Sequence, residues 1–177
     1  MLVGKRILLR PLERKDIEKV RKWRNDPAVI ENIFSYNYIN DLQQEKWFEK
    51  YSNSATEVSF IIVLNEERED IGVIGLSNID FKNQNAVLNT MIGEKKYWNK
   101  GYATEALSLL VHYAFNQMNL NRITSYLFAF NKASIRKNEK NGFIIEGTIR
   151  QMCFSGGKFQ DVIVMGLLRD DWRKMQA

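Results

Sequence analysis

A strand-like run, Asn85 to Gly93, passes through Tyr97-Trp98-Asn99-Lys100-Gly101-Tyr102-Ala103-Thr104-Glu105-Ala106 into a helix-like run, Thr104 to Met118. No other stretch restricts the fold as much. A strand, a turn rich in small residues and a helix in succession point several backbone N–H groups at one place. That place is suited to an anion, above all a phosphate. An ordinary strand–helix connection capped by Thr104 explains the same residues, and the segment alone leaves both readings open.

The rest of the chain is consistent with one α+β domain spanning 1–177. Lys5 to Leu12 alternates like a strand, and Arg14 to Asn25 places Ile17, Val20 and Trp23 at helical spacing before stopping at Asp26-Pro27. Asp41 to Tyr51 reads as a second helix, with Leu42, Trp47, Phe48 and Tyr51 as its buried stripe. Strands follow at Glu57–Leu64, Ile71–Asp80 and Ala86–Ile92, the last two forming a hairpin. Ala106, Leu109, Leu110, Tyr113 and Ala114 share a face of the glycine-loop helix. After it come a strand at Arg122–Phe130 and a short helix at Lys132–Lys140 ending on Asn141-Gly142. Two strands, Phe143–Met152 and Phe159–Leu168, flank Ser155-Gly156-Gly157-Lys158.

Composition narrows the chemistry. One cysteine, Cys153, excludes an intramolecular disulfide and a cysteine-rich metal cluster, so no metal is expected. The one histidine, His112, sits within a helical apolar pattern and reads as structural; a Cys153–His112 nucleophile–base pair has no supporting context. The net charge of +5 is spread along the chain and mixed with acids, which suits a small polyanion better than nucleic acid. No apolar run approaches the roughly 20 residues of a membrane span. Met1 to Arg6 leads straight into a strand pattern rather than a signal sequence. The expected location is cytoplasmic, without nucleic-acid or membrane partners.

The glycine segment resembles the acetyl-coenzyme A loop of the GNAT superfamily of N-acetyltransferases, and most closely its RimJ/RimL-like branch. The resemblance runs through Leu9-Arg10-Pro11-Leu12, Trp23-Arg24-Asn25-Asp26-Pro27, Gly93, and Asn131-Lys132-Ala133-Ser134. It continues in Glu139-Lys140-Asn141-Gly142-Phe143, Glu146-Gly147 and Gly157-Lys158-Phe159-Gln160-Asp161. The family loop is written Gln/Arg-x-x-Gly-x-Gly/Ala; Gly101 and Ala103 fill its small positions, and Trp98 stands where Gln or Arg is expected.

What the resemblance implies is a mixed, mostly antiparallel sheet of about seven strands with helices on both faces and a splayed central pair. It implies acetyl-CoA as co-substrate, its pyrophosphate on the amides of Trp98, Asn99, Lys100, Gly101, Tyr102, Ala103 and Thr104. Its pantetheine arm would run along Met91, Ile92 and Gly93, with Asn131 and Ser134 on the other side. Lys100 adds charge at the rim or is a solvated surface lysine.

The implied reaction is direct attack of a primary amine on the thioester. The Ile92 N–H serves the oxyanion, and Ser134 donates to or orients the sulfur. Ser134 also reads as a helix cap, although Asn131 is the better cap candidate. Many members supply the acid from a tyrosine where this chain has Asn138, and related chains carry a glutamate where it has Val87. The base is left among Asp80, Glu94, Glu105 and Glu146, or a relayed water.

The acceptor is expected against Asn25–Tyr51, with Phe34, Tyr36, Tyr38, Trp47 and Phe48 as candidate lining. It is a small-molecule amine, a peptide N-terminus or an amino sugar, and the protein a monomer or homodimer. A non-catalytic acyl-CoA-binding scaffold is the alternative, motivated by the two missing family residues.

Overall fold

A computed structural model describes residues 1–35 and 37–176. Among these, eight strands form one sheet: β1 (Leu2–Val3), β2 (Ile7–Pro11), β3 (Val58–Leu64), β4 (Asp70–Asp80), β5 (Asn85–Ile92), β6 (Arg122–Phe128), β7 (Ile144–Ser155) and β8 (Lys158–Leu168). Their spatial order is β1-β2-β3-β4-β5-β6-β8-β7. Every neighbouring pair is antiparallel except β5 and β6, which run parallel. The helices are α1 (Ile17–Asn25), α2 (Pro27–Ile30), α3 (Asp41–Ser52), α4 (Tyr102–Asn116), α5 (Lys132–Glu139) and α6 (Arg169–Gln176).

Alternation of side chains puts the sheet between two apolar layers. In β3, Phe60, Ile62 and Leu64 join the larger cluster with Leu107, Leu110 and Phe115 of α4, Ile135 of α5 and Trp172 of α6. Ile61 and Val63 point the other way, against Ile17, Val20 and Trp23 of α1 and Trp47, Phe48 and Tyr51 of α3. Both faces of the central strands are therefore covered by helices, which is why β3 reads as an unbroken apolar run.

The central pair separates. β5 and β6 pair only at Asn85–Val87 against Arg122–Thr124. Beyond that point β5 stays on β4 as far as Ile92, and β6 stays on β8 as far as Phe128. A gap thus opens in the middle of the sheet, on the side where β5 runs into the glycine loop.

Several elements differ from the sequence expectation for identifiable reasons. Asp26-Pro27 ends α1 but also starts α2, because the Asp26 carboxylate accepts from the Ala28 N–H and proline is tolerated in a first helical turn. In α3 the buried stripe begins at Gln44, 1% exposed, while Leu42 is 63% exposed. Asn40 caps the helix, so its first turn lies in solvent and the spacing toward the sheet runs Gln44, Trp47, Phe48, Tyr51. Helix α4 starts at Tyr102, with Gly101 rather than Thr104 as its cap. The β4–β5 register breaks between Ser77 and Asp80, around Asn78 at φ 50°, and not at Gly93.

Gly93 has a different reason to be glycine. A Cβ there would lie 2.0 Å from Cγ of the Trp23 indole. Gly93→Ala is therefore expected to destabilise the fold by roughly 1–3 kcal/mol or more, seen as a lower urea midpoint. Adding Trp23→Leu to Gly93→Ala should cost less than the two separate losses combined, since the clash is shared.

Candidate active site

The glycine loop is anchored from behind. The Arg6 backbone N–H and Nε donate to the two Glu105 carboxylate oxygens at 2.8 Å each, and Arg6 Nη1 donates to the Lys100 carbonyl at 3.0 Å. The same guanidinium lies 4.6 Å from the centre of the Tyr102 ring. Burial raises the Glu105 pKa, but the bonds from Arg6 outweigh it and hold the carboxyl below its ordinary value. On the front side the Trp98 indole N–H donates to the Ile92 carbonyl at 2.8 Å, tying the loop to the end of β5.

Two loop residues take the left-handed conformation, Asn99 at φ 60° and Gly101 at φ 83°. The Trp98 N–H is used by the Lys95 carbonyl and the Thr104 N–H by the Gly101 carbonyl. Between them, the N–H groups of Asn99, Lys100, Gly101, Tyr102 and Ala103 have no protein acceptor among the described residues. Consecutive free amides at a helix start form a concave donor array for an anion.

The array borders a cavity of about 270 Å³. Trp98, Asn99, Gly101, Tyr102, Ala103 and Thr104 line one part of it, and Met91 and Ile92 of β5 line another. Asn131 and Ser134 of α5 close the opposite wall. Lys100 and Gly93 lie off the cavity; the Lys100 ammonium sits 5.5 Å from the Tyr97 ring centre. The Gly93 N–H bonds back to Ile71 on β4 at 2.9 Å. By the alternation of an antiparallel ladder, the Ile92 N–H then faces the open side where β6 has departed.

Helix α5 is preceded by Asn131, whose side chain accepts from the Ser134 N–H at 3.1 Å. Asn131 is thus the cap and Ser134 is not. Ser134 and Lys137 lie three residues apart, on neighbouring turns of the same helix face. Lys137 is 8% exposed, and burial pushes its ammonium down to about 8. No carboxylate pairs with it among the described residues. Asn138 is fully buried and lines neither cavity.

A second cavity of about 430 Å³ lies toward α1 and α3. Asn32, Ile33, Thr90, Met91, Ser134 and Lys137 line both cavities, so the two meet at the gap between β5 and β6. Phe34 and Trp47 line the second one, as their segment suggested. Phe48 instead packs beside Tyr51, Tyr38 is 67% exposed, and Tyr36 falls outside the described residues. The second cavity also holds Arg24 and Glu57, which the sequence reading did not single out.

None of the four carboxylates considered as a base lines either cavity. Glu105 is held by Arg6, Glu146 is paired with Arg122, and Asp80 closes the turn through Asn83. Glu94 accepts from the Trp23 indole N–H at 2.9 Å. His112 lies on the exposed side of α4 against Trp172, and Cys153 pairs with Gln160 in the β7–β8 hairpin. Neither reaches a cavity wall.

The comparisons with known proteins agree with this geometry. A spermidine N-acetyltransferase from Vibrio cholerae, solved in complex with CoA and spermine, has the same fold at a TM-score of 0.90. It is 24% identical, covering 96% of this chain and 99% of that one. The probable N-acetyltransferase YjcK of Bacillus subtilis is 31% identical over 97% of this chain and 98% of its own length. The spermidine N(1)-acetyltransferase of Escherichia coli K12 is 26% identical over 94% of this chain and 88% of its own. Residues 6–144 match the acetyltransferase (GNAT) domain model. The free amides, the parted strands and this match lead to one conclusion: the chain belongs to the GNAT acetyltransferase family and is an acetyl-CoA-dependent N-acetyltransferase acting on a primary amine.

Proposed function

We propose that acetyl-CoA lies in the first cavity, that the amine enters from the second, and that they react where the cavities meet. The observation that carries this reading is the shared wall of Thr90, Met91, Ser134 and Lys137 at the gap in the sheet. The free amides of Asn99 to Ala103 suit the pyrophosphate, and the N–H of Ile92 suits the carbonyl oxygen as it gains charge. Bound acetyl-CoA supplies the thioester; the amine nitrogen forms the new bond to the acetyl carbon as the bond to sulfur breaks.

Lys137 takes the place of the absent tyrosine as the group that protonates the departing sulfur. Its pKa of about 8 lies near that of an ordinary thiol, about 8.5, so the transfer is close to balanced in energy. The proton released by the amine returns to solvent or recharges Lys137. Ser134, with its N–H committed to Asn131, presents its side chain to the same junction and orients the sulfur. Trp23-Arg24-Asn25-Asp26-Pro27 together with Ser134 favours the RimJ/RimL-like branch within the family.

Calorimetry with CoA and thiol release with an amine panel test the reading. Saturable CoA binding and amine-dependent thiol release are expected; CoA binding without release from any amine favours the scaffold alternative. Ser134→Ala should lower kcat by roughly tenfold while leaving CoA affinity within about twofold, since it removes one hydroxyl contact at the sulfur. An unchanged kcat would remove Ser134 from the reaction.

A further inference from the structure

The second cavity carries a charge pattern that bears on which amine enters it, an inference that rests on the assignment of that cavity to the acceptor. Its one carboxylate among the described lining residues is Glu57. Against this stand two cations, Arg24 and Lys137. Arg24 projects from the last turn of α1, half-buried, and no acidic or carbonyl partner reaches its guanidinium among the described residues. The other α1 arginine, Arg21, is by contrast paired with both Glu18 and Asp41. Burial without a partner lowers the Arg24 pKa, the mark of a charge taken from water and not compensated.

A half-buried guanidinium is a planar donor fork suited to carboxylate or phosphate. The remaining polar lining is hydroxyl and amide, Ser59, Ser77, Asn89 and Ser125 among it. A polyamine with several positive charges would meet two cations and a single carboxylate here, an unfavourable match. An amine that also carries an anionic group would supply the partner that Arg24 lacks.

We propose that the acceptor is a primary amine bearing a carboxylate or phosphate, and that Arg24 is the residue that binds this anionic group. Discrimination between amines then comes from Arg24 in the second cavity, and the coenzyme side is indifferent to it.

Two matched pairs of amines test this: 6-aminohexanoate against hexylamine, and glucosamine 6-phosphate against glucosamine, with spermidine as the polycation. Thiol release gives kcat/KM, and calorimetry on the CoA-loaded protein gives binding without turnover. The anionic member of at least one pair is expected to be preferred by about 10- to 100-fold, the worth of a hydrogen bond to a charged group. Which pair responds separates carboxylate from phosphate. Arg24→Gln should remove the preference through KM, leaving the KM for acetyl-CoA unchanged, and Arg24→Lys should restore part of it. Preference for spermidine or for the members without an anionic group, or a preference that survives Arg24→Gln, overturns the proposal. Binding that depends on Arg24 without thiol release from any amine keeps the anion site and overturns turnover there. Equal, weak binding of both members of each pair, with normal CoA binding, overturns the anion site alone.

Discussion

Lys137→Met should lower kcat by about 100-fold or more while leaving CoA affinity nearly unchanged, and at the same time make the protein more stable. The loss in rate follows from removing the group that protonates the sulfur, since general acid catalysis contributes typically about 10²–10⁴-fold. The gain in stability follows from the burial of the ammonium, which pushes its pKa down from 10.5 to about 8 with no carboxylate among the described residues to offset it. Below pH 8 both folded and unfolded chains hold the proton, and the cost of burying the charge is fully present. Between about pH 8 and 10.5 the unfolded chain holds a proton that the folded chain does not, so wild-type stability rises with pH over that window. Methionine has no such charge, and the variant should be flat there and more stable at pH 7 by roughly 2–3 kcal/mol.

The pH profile of the rate carries the same signature with the opposite sense. As an acid, Lys137 works in its charged form, so wild-type kcat should decline as pH rises through about 8. That limb should vanish in Lys137→Met. Denaturant titrations at several pH values and a kcat profile from pH 6 to about 10 check both halves. A variant that loses stability and keeps its rate would make Lys137 a packing residue and return the acid role to Ser134 or to water.

Gly101→Val should raise the dissociation constant for CoA by about 10- to 100-fold and lower the melting temperature by only a few degrees. Gly101 holds φ 83° at the start of α4, a conformation that a β-branched residue adopts at a cost of roughly 1–2 kcal/mol. Space is not the obstacle, because an added Cβ meets only the tip of Arg6 at 3.3 Å. The strain is relieved by turning the peptide planes on either side, and these carry the free amides of Asn99 to Ala103. Each charge-assisted hydrogen bond lost to the pyrophosphate is worth roughly 1.5–3 kcal/mol, more than the change in fold stability. Calorimetry beside a thermal melt separates the two. A variant that melts early yet binds CoA normally would show the loop to be a structural connection only.

Much of this architecture was readable because it rests on local signals. The apolar run in Glu57–Leu64, the strand–turn–strand pattern of Ile71–Ile92 and the apolar stripe from Ala106 to Ala114 placed β3, β4, β5 and α4 within about two residues of their bounds. The glycine at 101 marked the loop because few residues tolerate a left-handed turn at a helix start. Elements whose signals point two ways were missed. Asp26-Pro27 is both a stop and a start, and Arg169–Gln176 is a polar segment held by one buried aromatic, Trp172.

The strands β3 to β5 and the helix after the glycine loop are thus legible in the chain, since each depends on residues near one another, and the donor substrate follows from a family pattern spread from Leu9 to Asp161. The chemistry at the junction depends instead on contacts between elements distant in the chain. Glu94, Glu105 and Glu146 each have a partner from a distant element: Trp23 for the first, Arg6 for the second, Arg122 for the third. Lys137 and Arg24, ordinary charged residues by position, have no acidic partner among the described residues, and the fold brings them from α5 and α1 to the wall of one cavity. Burial and pairing are sums over neighbours that the chain order does not specify, and they set the charge and proton affinity of every group at this site.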